Sequence, residues 1–236
     1  MRLDRFLAET GFGTRTEVKK LIKQGKVTVN GTPVSKPEIQ LDPQTASVAV
    51  GGIDAVYREF IYLMLNKPEG YVSATFDKKL PTVIDLLPEE YAHFEPFPVG
   101  RLDIDTEGLL LLTNDGALSH RLLSPKHHVP KTYIAELEKP INDGDIESFE
   151  KGITIDDGYT CLPAELKSVS VEPPAAEVVI CEGKFHQVKR MFEAVGNRVT
   201  YLKRVRMKNL CLDESLEIGE IRELTEEEIR GLKAEN

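Results

Sequence analysis

Apolar residues recur three and four positions apart at the start of the chain. Leu3, Phe6 and Leu7 share one helical face, and Gly11 ends the run. Thr14 and Glu17 then spell a capping box ahead of a second helix whose inward residues are Val18, Leu21 and Ile22, with Gly25 as its C-terminal cap. The period changes from helical to two in KVTVNGTPV, where valines alternate around Asn30-Gly31, a strong hairpin signal. Two short helices and a hairpin make a unit of about fifty residues, marginal alone and suited to docking.

Gly51-Gly52 and the mixed residues to Glu59 read as a linker. The expected organisation is a module over 1–48, a linker over 49–59 and a second domain over 60–236. That domain opens with FIYLMLNKPEGYVSAT: an apolar strand, a turn over Pro68–Gly70 and another strand. Further strands are expected at 108–113, 132–137, 176–183 and 198–212, and helices at Ala117–Leu123, Ile141–Lys151, Phe185–Val195 and Thr225–Leu232. Strands dominate and helices interrupt them irregularly. The fold class is therefore α+β, a small α/β module followed by a mainly antiparallel mixed sheet flanked by helices. No internal repeat is visible.

Composition narrows the class. The chain of 236 residues is 41% hydrophobic and 29% charged, ordinary for a globular protein. No apolar run approaches the roughly 18 residues of a membrane span. The start, MRLDRFLAE, carries acids where an export signal is apolar, and Cys161, Cys181 and Cys211 are too far apart for metal pairs; both suit the cytoplasm. The net charge of −9 argues against a nucleic-acid partner until its distribution is examined. Residues 1–40 hold eight Lys/Arg against four acids, and 184–208 hold eight against Glu193 alone, while 212–236 holds nine acids and three bases. Segregation of this kind suits a local phosphate-binding surface despite the overall sign. Arg15, Lys19 and Lys23 recur every four residues along the second helix, as a basic stripe beside the apolar one.

The chemistry concentrates in GRLDIDTEGLLLLTNDG, where Asp103, Asp105 and Glu107 stand directly before four leucines. Leu109 to Leu112 is continuous rather than alternating, as in a strand buried on both faces. Asp103, between Leu102 and Ile104, is the acid drawn most toward the core; turn amides could equally satisfy it. On the helix expected over 185–195, Phe185, Val188, Phe192 and Val195 form the apolar stripe. Lys189 flanks that stripe within reach of a buried acid, and Arg190 lies farther round, toward phosphate. Lys67, in the NKPEG turn, is a candidate for a cleft rim. His127 and His128 lack metal-ligand partners at suitable spacing, so no metal and no catalytic role are assigned to them. DIDT also matches the opening of aspartyl-phosphate phosphatases, but there the buried strand leads into the first Asp, whereas here it follows.

Residues 1 to 48, MRLDRFLAETG through KVTVNGTPV, resemble the S4-type RNA-binding domain. The resemblance implies that Arg2, Arg5, Arg15, Lys19, Lys20, Lys23 and Lys26 include phosphate contacts, and the second basic cluster adds Lys203, Arg204 and Arg206. The rest is similar to the RsuA-type pseudouridine synthases, through NKPEGYVSAT, GRLDIDTEGLLLLTNDG, SPKHHVPKTYIAEL and EGKFHQVKRMFEAVGN in that order. What this resemblance implies is specific: Asp103 as catalytic carboxylate, Tyr133 as active-site aromatic, Lys189 as the cation paired with Asp103, and Arg101 as a residue holding the substrate strand. It implies an isomerase that flips one uridine of ribosomal RNA without a cofactor and acts as a monomer. The wording of the third and fourth segments points to 16S rRNA, at uridine 516. A 23S synthase of the same family, or a non-catalytic RNA-binding assembly factor, would share much of this pattern.

Overall fold

The computed structural model describes residues 1–234. They form two compact units, one of Met1–Ile61 with Pro88–Pro96 and one of Tyr62–Leu87 with the chain from Phe97 onward. That Pro88–Pro96 joins the first unit is announced by no pattern in the sequence.

In the first unit, helices α1 (Leu3–Glu9) and α2 (Arg15–Lys23) pack on a four-stranded antiparallel sheet. Its strands are β1 (Val27–Val29), β2 (Thr32–Val34), β3 (Val48–Val50) and β4 (Ile53–Asp54), in the order β2-β1-β3-β4. The capping box forms: the Thr14 amide donates to the Glu17 carboxylate at 2.8 Å, and the Glu17 amide donates back to Thr14 Oγ1 at 3.4 Å. Asn30 and Gly31 both take positive φ, 50° and 76°, so Val29 pairs with Thr32 across a two-residue turn of the kind right-twisted strands prefer. Leu3, Phe6, Leu7, Val18, Ile22 and Val27 are fully buried together. A short helix, α3 (Glu89–Ala92), lies in the added segment.

The second unit is built on one nine-stranded sheet. In chain order it contains β5 (Tyr62–Lys67), β6 (Phe97–Pro98), β7 (Glu107–Thr113), α4 (Gly116–Leu123), β8 (Lys131–Leu137) and α5 (Asp143–Lys151). There follow β9 (Glu165–Val171), β10 (Pro174–Ile180), α6 (Gln187–Ala194), β11 (Val199–Met207), β12 (Leu210–Cys211), β13 (Ile221–Glu223) and α7 (Glu226–Lys233). The strand order is β13-β5-β7-β11-β8-β10-β9, with β6 beside β7 and β12 beside β11. Every pairing is antiparallel except β7 with β11. Leu109 and Leu111 join α4 and α7 residues in one core, while the alternating Leu110 and Leu112 are equally buried on the other side. Cover on both faces explains a strand written entirely in leucine.

Four expectations change. The stretch expected as a linker over 49–59 is instead the β3–β4 hairpin of the first unit, with Gly51 and Gly52 as its turn and Ala55 in the core. The strand expected over 198–212 folds back on itself: Lys208 takes φ 55° and Leu210–Cys211 returns against Arg206–Met207. YVSAT forms no strand; Val72 bridges to Thr82 in parallel instead. α6 starts two residues late, because His186 is left-handed at φ 48°; its buried face is Val188, Met191 and Phe192, and Phe185 is 75% exposed.

Candidate active site

The chain enters β7 through the loop 100–106, whose backbone is fastened from two sides. Ser73 Oγ donates to the Leu102 carbonyl and accepts the Leu102 amide, both at 3.0 Å. The Lys67 ammonium donates to the carbonyls of Pro68, Ile104 and Thr106 at 2.9, 3.3 and 3.0 Å. The Gly70 amide donates to Ile104 at 2.8 Å, and the Thr106 amide closes a turn on the Asp103 carbonyl at 3.1 Å. Lys67 is thus not at a cleft rim, as its turn position suggested, but fully buried. Three carbonyl acceptors satisfy the three donors of its ammonium. Burial pushes its pKa down to about 8, against the pull of Asp105, Glu107 and Asp103.

Beyond the loop, Gly108 holds φ 99°, and a Cβ there would stand 2.3 Å from the Arg204 carbonyl oxygen. Only glycine permits β7 and β11 to approach this closely.

The three acids have separate fates. Glu107 accepts the Tyr201 hydroxyl at 2.6 Å. Asp105 accepts Lys189 Nζ at 2.5 Å. Burial raises the Asp105 pKa, but the Lys189 hydrogen bond and charge outweigh it and hold the carboxyl below its usual range. Asp103 accepts no hydrogen bond among the described residues; the His186 imidazole stands beside it, with Nε2 3.7 Å from Oδ1. Its side chain is 29% exposed. The loop's backbone is fixed, and this one carboxylate is left uncommitted.

The lysine expected to pair with Asp103 therefore pairs with Asp105 in this structure. His186 and Lys189, three residues apart, both face the loop, and the turn at Ile104-Asp105 carries the second aspartate to the lysine. His186 is the site residue that sequence reasoning passed over, although it stands within the quoted EGKFHQVKRM. Its ring is stacked on Phe185 at 3.8 Å.

Arg190 is also reassigned. It pairs with Asp156 and Asp157 and donates to the Phe185 carbonyl at 3.2 Å, so it braces the start of α6 rather than reaching toward phosphate. Arg101 is exposed, without an ion-pair or hydrogen-bond partner among the described residues. Tyr133 is buried on β8, in register with Arg204 of β11, which is itself level with Gly108. That register sets the tyrosine level with the first residues of β7, where the loop ends. Its hydroxyl has no hydrogen-bond partner among the described residues.

Of the second basic cluster, Arg206 is exposed and Lys203 half-buried. Arg204 is only 2% exposed and donates through Nε to the Leu109 carbonyl at 2.8 Å, which removes it from any RNA-facing surface. In the first unit Arg2 and Lys19 engage Asp4, and Arg5 engages Glu9. Arg15, Lys20, Lys23 and Lys26 are exposed. Among the described residues no group of His, Cys, Asp and Glu side chains converges as a metal site, and no helix is long and apolar enough to cross a membrane.

Residues 61–194, which hold β5 through β10 and the Asp103 loop, match the RNA pseudouridylate synthase family model, and residues 1–45 match an S4 domain model. The chain belongs to the RNA pseudouridylate synthase family and is an enzyme that forms pseudouridine in RNA. It is of the RsuA type: ribosomal small subunit pseudouridine synthase A of Escherichia coli (strain K12) is 43% identical over 230 residues, covering 97% of this chain and 98% of that protein. An uncharacterized RNA pseudouridine synthase of Bacillus subtilis (strain 168), YtzG, is 53% identical over 231 residues, covering 97% of each chain. A crystal structure of a pseudouridylate synthase superposes with a TM-score of 0.69 at 38% identity, over 98% of this chain and 99% of that one.

Proposed function

We propose that Asp103 is the catalytic carboxylate, that the substrate is ribosomal RNA, and that the target is uridine 516 of 16S rRNA. The observation that carries the first part is the contrast within one loop: a backbone held by Ser73 and Lys67, and a carboxylate with no hydrogen bond of its own. An acid needed only for folding would be satisfied locally, as Asp105 and Glu107 are.

Pseudouridine formation breaks the bond between C1′ and N1 of uracil, turns the base, and joins C5 to C1′. The C5 proton is lost and N1 gains one, so atoms and electrons balance within the substrate. Nothing in that sequence calls for a cofactor. The protein has to hold the sugar and the loose base, exclude water and move a proton. Asp103 acts at the junction of sugar and base, by attack at C1′, by attack at C6, or by removing a sugar proton. Tyr133 offers a flat face for the extruded base and an unbonded hydroxyl for proton movement. Lys189 supplies positive potential beside the loop, His186 offers an imidazole N–H next to Asp103, and Arg101 holds the strand the uridine leaves. The 16S target rests on likeness to proteins named for the small ribosomal subunit.

The test is carbodiimide–primer-extension mapping of 16S and 23S rRNA from cells with and without the gene. Loss of one stop, at uridine 516 of 16S, is expected. A lost stop in 23S would overturn the assigned target, and no lost stop in either would overturn the ribosomal substrate.

A further inference from the structure

The C-terminal turn of α4, the SPKHH stretch, the residue after β11 and the end of α7 line a cavity of about 290 Å³. Arg121, His127 and Lys208 line the cavity together with Leu122, Val129 and Leu232, and no acidic side chain lines it among the described residues. Lys208 is accounted for by the fold: it donates to the carbonyls of Leu232 and Ala234 at the C-terminal end of α7. Arg121 is not. Its Nε is buried without a hydrogen-bond partner among the described residues, a cost that a folded protein rarely carries for nothing. Burial and the charge of Arg121 both push the Lys208 pKa down.

We propose that this cavity is a second RNA contact, in which Arg121 and Lys208 grip one backbone phosphate, His127 donates to it, and the adjoining sugar lies against Leu122 and Val129. The inference rests on the ribosomal-RNA reading above. Arginine's planar fork suits a phosphate, and the apolar lining suits a ribose better than a free inorganic ion.

The test compares the full chain with Arg121→Gln, Arg121→Lys and His127→Gln, measuring rRNA affinity by filter binding over a salt series, turnover, and thermal unfolding. Arg121→Gln is expected to weaken RNA binding roughly five- to tenfold, raise KM for the RNA to a similar degree, and lower the slope of log affinity against log salt by about 0.7–0.9. Arg121→Lys should recover part of the affinity because the charge returns, and His127→Gln should weaken binding less. Unchanged affinity and slope in a folded Arg121→Gln protein would overturn the proposal. So would calorimetric binding of inorganic phosphate that Arg121→Gln abolishes while RNA affinity stays the same, since the cavity would then be a small-anion site. A parent protein that binds rRNA but never isomerises it contradicts the proposed function instead, and the affinity comparison at Arg121 still stands.

Discussion

Lys67 carries its charge inside the protein, and the pH response of the enzyme should expose it. Its ammonium holds the loop through Ile104 and Thr106 and has a pKa of about 8, well under the 10.5 of an exposed lysine. Between those two values the folded protein releases a proton that the unfolded chain keeps. This group alone therefore makes the fold more stable as pH rises through that window, because an unfavourable buried charge is removed. Its grip weakens over the same range, since a neutral amine offers one donor fewer to three carbonyls. Turnover on a short RNA should fall as pH rises above about 8, with no matching drop in thermal stability from this residue. Activity flat to pH 9.5 would contradict the role given to Lys67. Neither Lys67 nor Arg204 could be read from the chain as buried, because hydropathy assigns every lysine and arginine to the surface and only the carbonyls around them reverse that. Asp103 was singled out by its position between two apolar residues; that Lys189 meets Asp105 depends on a turn the pattern does not specify.

At the level of elements, local chemistry made some parts legible and tertiary contact decided the rest. The β1–β2 hairpin follows from Asn30-Gly31, whose positive φ values are a property of those residues. β7 follows from four consecutive leucines. β9 stayed hidden because ELKSVSV is an edge strand whose exposed Lys167, Ser168 and Val169 break any alternation. Phe185 misled the helix wheel because it lies ahead of a left-handed His186, off the helix and on the surface. Gly108 is where element pairing and chemistry meet, since the parallel pairing of β7 with β11 starts there and at Glu107. Gly108→Ala would force a methyl against the Arg204 carbonyl and strain a left-handed residue. We expect a loss on the order of 3 kcal/mol, which lowers the thermal midpoint by roughly 6–12 °C. A midpoint within a degree or two of the parent would mean that β7 and β11 can part without cost.

For the whole molecule, an acidic protein that works on RNA must keep its positive charge local. The exposed Arg15, Lys20, Lys23 and Lys26 of the first unit do this against a net charge of −9. Binding to rRNA should weaken steeply with salt, and replacing Lys20, Lys23 and Lys26 by Gln together should reduce that slope by about 2–3. A slope unaffected by the triple change would move the phosphate contacts elsewhere. The helices and the Asn30-Gly31 hairpin of the first unit could be read from local pattern, but Gly51-Gly52, read as the start of a linker, turns between β3 and β4 of that unit, and the return of Pro88–Pro96 to it is a matter of packing alone. The most direct measurement concerns the carboxylate itself: tritium release from 5-tritiated rRNA by Asp103→Asn, alongside filter binding of the same RNA. The account predicts release at background with affinity within about twofold of the parent, because only a charge at the sugar–base junction is lost. Substantial release by the variant would contradict it.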